Sequence, residues 1–393
     1  MAQILTRNND ILWKLIEDKV VLLDMDEARA ITLNDVGSHI WTALDLKYRD
    51  FSKRLHFKKE SERVPLEGAI EVTSRCNLNC RHCYIKDNSK NNELSFEECC
   101  RIIDELADAG CLWLTFTGGE PFTRKDFLDI YIYAKKKGLI IVIFTNGTLI
   151  TPEIADYLKE FKPFYLEISL YGMSRETYKN VTGSADNYDR CMEAISLFRD
   201  RKIQFRLKSV LIKENRREIF EMKRFAKGLD VDFRFDFLIN PRIDGGKGPC
   251  DTRVTPEEGV EIEMADEEVR KEWKKSFIEE KPERNPDLLF FCGAGKNLFN
   301  IDSMGNLQIC NMVRFINYDL RKGSFKAGWN QFPEILSRKA KGKNKCSACN
   351  LAHLCTICPG WSMMEHGNEE ALVEYVCEIA HLRAKAVLKE IET

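Results

Sequence analysis

The chain predicts an α/β fold built on a parallel sheet, and three observations lead to that expectation. Between Pro65 and Leu238, short apolar runs alternate with longer amphipathic segments, the pattern of repeated strand–helix units. The run Ile140–Thr145 is almost wholly apolar, as a strand covered on both faces must be. Two chemistry-bearing stretches, Cys76–Cys83 and Gly118–Pro121, each follow one of these runs directly. Both therefore lie beyond strand carboxyl ends, where sheets of this class gather ligands.

Taken in order, residues 1–50 form a separate small module. Asp10–Glu17, Val20–Asp24 and Ala30–Leu33 read as short strands, and Asn34-Asp-Val-Gly opens an amphipathic helix through Ile40, Trp41 and Leu44. A basic, aromatic-flecked linker follows over 51–64. The α/β region spans 65–240. Its first strand is Gly68–Thr73, and its first helix is Phe96–Ala109, capped by Ser95 with Glu98 three residues on. Strand Trp113–Thr117 precedes a helix from Asp126 to Lys137 that Gly138 stops. Strand Ile140–Thr145 leads to a helix begun at Thr151-Pro152. Strand Phe164–Leu170, a helix around Tyr188–Arg201, strand Gln204–Leu211, a helix near Arg216–Lys227 and strand Asp232–Leu238 complete six repeats. Right-handed crossovers then give either an open doubly wound sheet or a partial barrel. Residues 241–286 are Gly-rich, Pro-punctuated and then charged, a bridging region with one exposed helix. Residues 287–393 hold a spaced array of seven cysteines.

Composition narrows the class of partner. The 60 basic and 62 acidic residues leave a formal net charge of −2, so neither nucleic acid nor a membrane surface is expected as the main partner. No apolar run reaches the length of about 18 residues that spans a bilayer, and no secretory signal opens the chain. A cytoplasmic protein is expected. Its 15 cysteines then point to metal or redox chemistry rather than disulfides.

Cys76, Cys80 and Cys83 stand at C-x3-C-x2-C spacing, followed by Tyr84. Three thiols are one short of a closed four-ligand metal site, so one corner stays open for a reacting ligand. A structural zinc knuckle using His82 is the bland alternative, but it leaves Gly118-Gly119-Glu120-Pro121 at the next strand end unexplained. The combination resembles the radical S-adenosylmethionine superfamily, whose fold is a partial (β/α)6 barrel. The resemblance implies that Cys76, Cys80 and Cys83 hold a [4Fe–4S] cluster whose fourth iron binds S-adenosylmethionine. It further implies that in the Gly118-Gly119-Glu120-Pro121 turn the glycines let the backbone approach the amino group while Glu120 or its neighbouring carbonyls neutralise it, that His82 packs on adenine, and that Ser169 with Lys208 or Ser209 contacts ribose or carboxylate. Cys99, Cys100, Cys111 and Cys191 fall on or beside amphipathic helices and read as apolar fillers.

The C-terminal array reads C-x12-G-x4-C around Gly305, then C-x2-C-x5-C-x2-C and a final Cys377. A pair of zinc ribbons is one reading. The array also resembles the SPASM extension of radical S-adenosylmethionine enzymes, which houses two auxiliary iron–sulfur clusters. That resemblance assigns Cys292, Cys310 and Cys358 to one cluster and Cys346, Cys349, Cys355 and Cys377 to the other, three [4Fe–4S] clusters in all. The last pair is spaced x2 where the family has x3, and no cysteine stands just before Cys292. Either Cys250 completes that site or it keeps an open iron.

The stretch DILWKLIEDKVVLLDMDEARAITLNDVGSHIWTALD resembles the leader-recognition module of the pyrroloquinoline quinone peptide-chaperone type. That family captures a leader peptide as an added edge strand, a mode open to any unpaired strand edge. Together the resemblances imply a maturase of a ribosomally made peptide. It would abstract hydrogen through a 5′-deoxyadenosyl radical and form an oxidative crosslink, with a Cys thioether as the favoured bond. The implied partners are a leader-bearing precursor peptide and a flavodoxin- or ferredoxin-type electron donor. A sulfatase-type maturase and a non-catalytic peptide-binding adaptor are the alternatives. No general acid or base stands out; Tyr171, Arg234, Asp236 and His366 are possible cavity groups.

Overall fold

The computed structural model describes residues 63–85, 92–279, 285, 287–341, 346, 349–351 and 354–392, together with four N-terminal strands. Those strands, β1 (Leu5–Asn8), β2 (Ile11–Ile16), β3 (Lys19–Asp24) and β4 (Arg29–Thr32), form an antiparallel sheet in sequence order. The helix expected after Asn34 lies outside the described residues.

A second sheet of nine strands organises the rest. β5 (Glu67–Thr73), β6 (Trp113–Gly118), β7 (Ile140–Thr145), β8 (Tyr165–Ser169), β9 (Phe205–Val210) and β10 (Phe233–Asp236) run parallel and lie in sequence order. A doubly wound sheet would reverse direction at a switch point. This order has none, so the arrangement is that of a (β/α) barrel. It is open, because the outer neighbour of β5 is β11 (Leu298–Ile301) rather than β10. Antiparallel β12 (Asn306–Gln308) and β13 (Tyr318–Asp319) extend that edge.

Helices α1 (Phe96–Asp108), α2 (Phe127–Lys136), α3 (Pro152–Glu160), α4 (Arg175–Thr182), α5 (Asp186–Asp200) and α6 (Ile219–Gly228) connect the parallel strands. Their starts follow local chemistry. Ser95 and Glu98 close a reciprocal capping box on α1, and the Thr151 side chain accepts the Ile154 N–H ahead of Pro152 on α3. The expectations had no α4. It is short and polar, but Ser174 caps its start and Gly183, at φ +89°, ends it. Alternation along the strands sends Ile70, Val72, Leu114, Phe116, Ile141, Ile143, Leu166, Ile168 and Leu207 into one apolar core under the helices. The intervening residues face the lumen.

The bridging region departs from the single exposed helix expected of it. It forms α7 (Pro256–Ala265) and α8 (Glu267–Glu279). Glu263 of α7 is buried and receives two hydrogen bonds from Arg383 of the C-terminal helix, at 2.8 and 2.7 Å. The charge pattern of α7 therefore conceals a core contact. C-terminal to the sheet, short α9 (Phe325–Trp329) and α10 (Phe332–Leu336) precede α11 (Pro359–His366) and α12 (Glu374–Glu392). Among the described residues, no helix is long and apolar enough to cross a membrane.

The Glu263–Arg383 pair gives a direct test of how α7 and α12 are held. Arg383→Ala leaves a buried carboxylate uncompensated and should cost about 3–5 kcal/mol in urea denaturation, whereas the double variant E263Q/R383M should recover much of that loss. A single variant as stable as the parent would contradict the packing described.

Candidate radical site and cysteine sets

The site is built at the carboxyl ends of β5, β6 and β7. From β5 the chain passes through Ser74 and Arg75 into the cysteine loop, and α4 holds that loop from outside. The Asn79 and Arg81 N–H groups donate to the Thr182 and Val181 carbonyls at 3.3 and 3.1 Å. Cys83 N–H donates back to the Cys80 carbonyl at 3.1 Å. Arg81 pairs with Glu214 at 2.5 Å, and Leu78 packs against the core. The helix absent from the expectations is thus the buttress of the loop.

Gly118 and Gly119 bring the second motif against the first. Their N-terminal neighbour strand approaches so closely that a Cβ on Gly118 would lie 2.1 Å from the Thr73 carbonyl oxygen, and one on Gly119 2.1 Å from that of Arg75. Gly118 also has φ +130°, a conformation other residues rarely adopt. Gly119 N–H donates to Thr73 O at 2.9 Å and Glu120 N–H to Arg75 O at 2.8 Å. The close approach these glycines permit is thus to the root of the cysteine loop. Pro121 is buried and opens a single 3₁₀ turn, Pro121–Thr123.

Glu120 does not face open space. Its side chain is 0% exposed and accepts from Thr145 Oγ1 at 2.8 Å, Asn146 N–H at 2.7 Å and Phe122 N–H at 3.3 Å. Its carboxylate therefore locks β6 to β7, which leaves neutralisation of a ligand's ammonium to the carbonyls of the turn. Burial lifts its pKa to about 7 against the opposing effect of those three donors.

The expected ribose-side residues separate. Ser169 pairs with Lys208 across β8 and β9, so the two share the lumen face. Ser209 is a correction. Alternation puts it on the opposite face with buried Leu207, and its hydroxyl is enclosed with no hydrogen-bond partner. Lys208 reaches across β8 to hold its ammonium 3.4 Å from the centroid of Phe144, and burial lowers its pKa to about 8. Beside it Arg234 pairs with Glu167. His82 has its ring 5.4 Å from that of Tyr171, its Nδ1 enclosed without a partner, and its pKa lowered to about 4 by burial. Tyr171 is buried beside Cys80. His366 lies at the far end of α11, 3.9 Å from Glu374, and Asp236 accepts the Leu238 N–H at 2.7 Å.

The thiols sort into three sets. Burial, and then neighbouring charges including that of Cys83, raise the Cys76 pKa to about 11; Cys80 is raised by burial, Cys83 and Cys76. Cys310 is raised to about 11 by burial, with Cys358 and Cys292 adding to it, and Cys358 by burial and Cys292. Cys355 is raised to about 11 by burial and by Cys346, Cys349 and Cys377. Cys250 stands apart from these sets: its charged neighbours are Arg253, Glu365, Asp251 and Lys247. Glu365 lies seven residues along α11 from its N-cap Cys358, roughly 10 Å of helix. Among the described residues, no three donors close on a point that one ion could occupy. Grouped, buried thiolates are costly until a cation neutralises them, and soft sulfur donors suit iron–sulfur clusters. The donor chemistry of Cys76, Cys80 and Cys83 thus fits a cluster. Cys99, Cys111 and Cys191 are buried in the apolar core, and Cys100 is partly so.

With this geometry in hand, comparison with known proteins identifies the central region. Residues 70–226 match the model of the Radical SAM superfamily, a family that implies a [4Fe–4S] cluster and S-adenosylmethionine. The AdoMet-dependent heme synthase of Methanosarcina barkeri is 29% identical over 318 residues, which is 74% of this chain and 90% of that protein. The mycofactocin maturase MftC of Mycolicibacterium smegmatis is 29% identical over 311 residues, 74% of this chain and 77% of its own length. The fold is shared with Streptococcus suis SuiB bound to its precursor peptide SuiA, at a TM-score of 0.64 and 17% identity, covering 96% of this chain and 100% of that one.

The raised Glu120 pKa predicts a pH signature with a definite sign. Between its ordinary value of 4.5 and about 7 the folded chain binds the extra proton, so this residue's stabilising contribution falls as pH rises. Denaturation across that window should show the wild type losing up to about 3 kcal/mol relative to E120Q. Parallel profiles would show that the carboxyl is ionised throughout.

Proposed function

We propose that this chain is a radical S-adenosylmethionine maturase of a ribosomally made peptide that forms an oxidative crosslink, with a Cys thioether as the favoured product. The observation that weighs most is the sorting of the seven C-terminal thiols into the sets Cys292/Cys310/Cys358 and Cys346/Cys349/Cys355/Cys377. In this reading each set holds an auxiliary [4Fe–4S] cluster, and the first keeps an open iron because Cys250 sits with Arg253 and Glu365 instead. Similarity to a mycofactocin maturase and a fold shared with SuiB over 96% of the chain support the peptide substrate. Among the described residues β1 and β4 are the outer strands of the antiparallel sheet, the kind of edge that a leader strand could extend.

When bound, the cluster and S-adenosylmethionine supply a one-electron reductive cleavage that yields methionine and a 5′-deoxyadenosyl radical able to take a hydrogen atom from the substrate. The chain's own part is placement. Cys76, Cys80 and Cys83 hold the cluster at the mouth of the barrel, and Gly118–Pro121 present turn carbonyls to the amino group. Ser169 and Lys208, which share the lumen face, would contact ribose or carboxylate, and His82 would pack on adenine. Crosslinking removes two hydrogens from the peptide. One would leave as the atom abstracted and the other as a proton, and clusters held by the C-terminal thiols would supply the acceptor for the remaining electron. A flavodoxin- or ferredoxin-type donor supplies the initiating electron through the exposed side of the loop at Cys76.

A second reading rests on the relative from Methanosarcina barkeri, of which this chain covers 90%. A tetrapyrrole carboxylate would find the ammonium of Lys208 in the lumen, since Arg234 is paired with Glu167 and Arg206 with Asp232. The two readings separate in one anaerobic experiment. Reconstituted enzyme with S-adenosylmethionine and dithionite is given either the short peptide encoded beside its gene or an iron porphyrin bearing propionates. Peptide product lighter by two hydrogens supports the maturase; porphyrin turnover with an unchanged peptide overturns it. Cys76→Ala should abolish 5′-deoxyadenosine formation, whereas Cys355→Ala should retain it and lose only one cluster's share of iron and sulfide.

A further inference from the structure

The Thr145-Asn146-Gly147-Thr148 turn at the end of β7 touches the cysteine loop more directly than the GGEP turn does. Asn146 is 5% exposed. Its Oδ1 is saturated from one side, accepting from Thr148 N–H at 2.8 Å and Thr148 Oγ1 at 2.6 Å. Thr148 Oγ1 in turn accepts from Asn77 Nδ2 at 2.7 Å, so Asn77 must present its own Oδ1 to Asn146 Nδ2, at 3.0 Å. The backbone of Asn146 is pinned by Glu120 at 2.7 Å. These bonds leave the amide one orientation, because a flip would set like groups against each other at both ends. In that orientation the Nδ2 group also lies 3.8 Å from Cys76 Sγ, within reach of an N–H···S bond.

We infer that Asn146 is a positioning residue that donates an N–H···S hydrogen bond to Cys76 and thereby makes the reduction potential of the cluster held there less negative. This rests on the reading of Cys76 as a cluster ligand. A donor aimed at a ligating sulfur favours the reduced, more electron-rich state, and such bonds are among the protein's main controls over cluster potential. The donor amide itself is buried, which strengthens the effect at its end of the bond. Glu120 enters indirectly: the buried carboxylate of the GGEP turn fixes the backbone from which the donor projects.

The test uses the full chain, anaerobically reconstituted without substrate. Electron paramagnetic resonance titration should place the cluster of N146A at a more negative midpoint potential than wild type, with iron and sulfide content unchanged. T148A, which loosens the turn but keeps the amide donor, should shift less. In wild type labelled with [15N]asparagine, pulsed resonance of the reduced cluster should show a nitrogen coupling that survives Asn77→Ser and Asn79→Ser. N146A at the wild-type potential with a full cluster overturns the assignment. Should N146A fail to assemble a cluster, the labelled wild-type spectrum decides, and absence of the coupling overturns it. A wild type that takes up no iron and sulfide instead refutes the cluster reading of Cys76 itself.

Discussion

The architecture of the site depends on one buried carboxylate. Three parallel strands end side by side, and their C-terminal loops would drift independently if nothing joined them. Glu120 joins them. Its backbone N–H reaches Arg75 at the root of the cysteine loop, and its side chain reaches Thr145 and Asn146 at the end of β7. Hydrogen bonds to a charged acceptor are worth about 1.5–3 kcal/mol each, and leaving such a group unpaired costs still more. A carboxylate in this position therefore tolerates only a small set of loop arrangements. The glycines before it serve the same contact, since any side chain at Gly118 or Gly119 would push the turn off β5.

How much of this was legible in the sequence follows from the range of each signal. Local signals read well. The Ser95–Glu98 box, the Thr151-Pro152 start, the apolar β7 and the cysteine spacings all act within a few residues, and each appears where the sequence placed it. Repetition alone pointed to six parallel strands but left a doubly wound sheet and a partial barrel open, and the strand order decides between them. What stayed hidden involves partners distant in sequence. Glu263 meets Arg383 across 120 residues, so α7 reads as solvated charge although its face is buried. Arg175–Thr182 lacks a strong apolar stripe, and only Ser174 and Gly183 mark its ends.

The candidate site shows the same division. Residue types pointed to Cys76, Cys80 and Cys83 because three thiols in a short loop have few other uses. The resemblance left the neutralising role to the acidic residue of the second motif or to its neighbouring carbonyls. Its actual partners come from the next strand, which spacing cannot reveal. Ser209 was paired with Lys208 as an alternative although adjacent strand residues face opposite ways; the register with Ser169 resolves the choice. Asn146 was overlooked for a related reason. An asparagine before glycine after a strand reads as turn chemistry, and that local role is real, but the same side chain also reaches the sulfur.

The link between the barrel and the C-terminal cysteines can be argued from the same principle. β11 continues the sheet beside β5, and Gly68 is open there because the Phe299 ring occupies the space its side chain would fill. Next to this seam, buried Glu71 of β5 receives a two-pronged pair from Arg314, at 3.0 Å through Nη1. Asn311, which directly follows Cys310, lies near Tyr84, which directly follows Cys83. Net stability is a poor explanation for a buried ion pair, because desolvation offsets most of the attraction. Geometry is a better one: a guanidinium fork accepts a carboxylate in few poses. The pair therefore fixes the Cys310 loop relative to the Cys83 loop, and any shift between the two cysteine sets would expose an unpaired charge on β5.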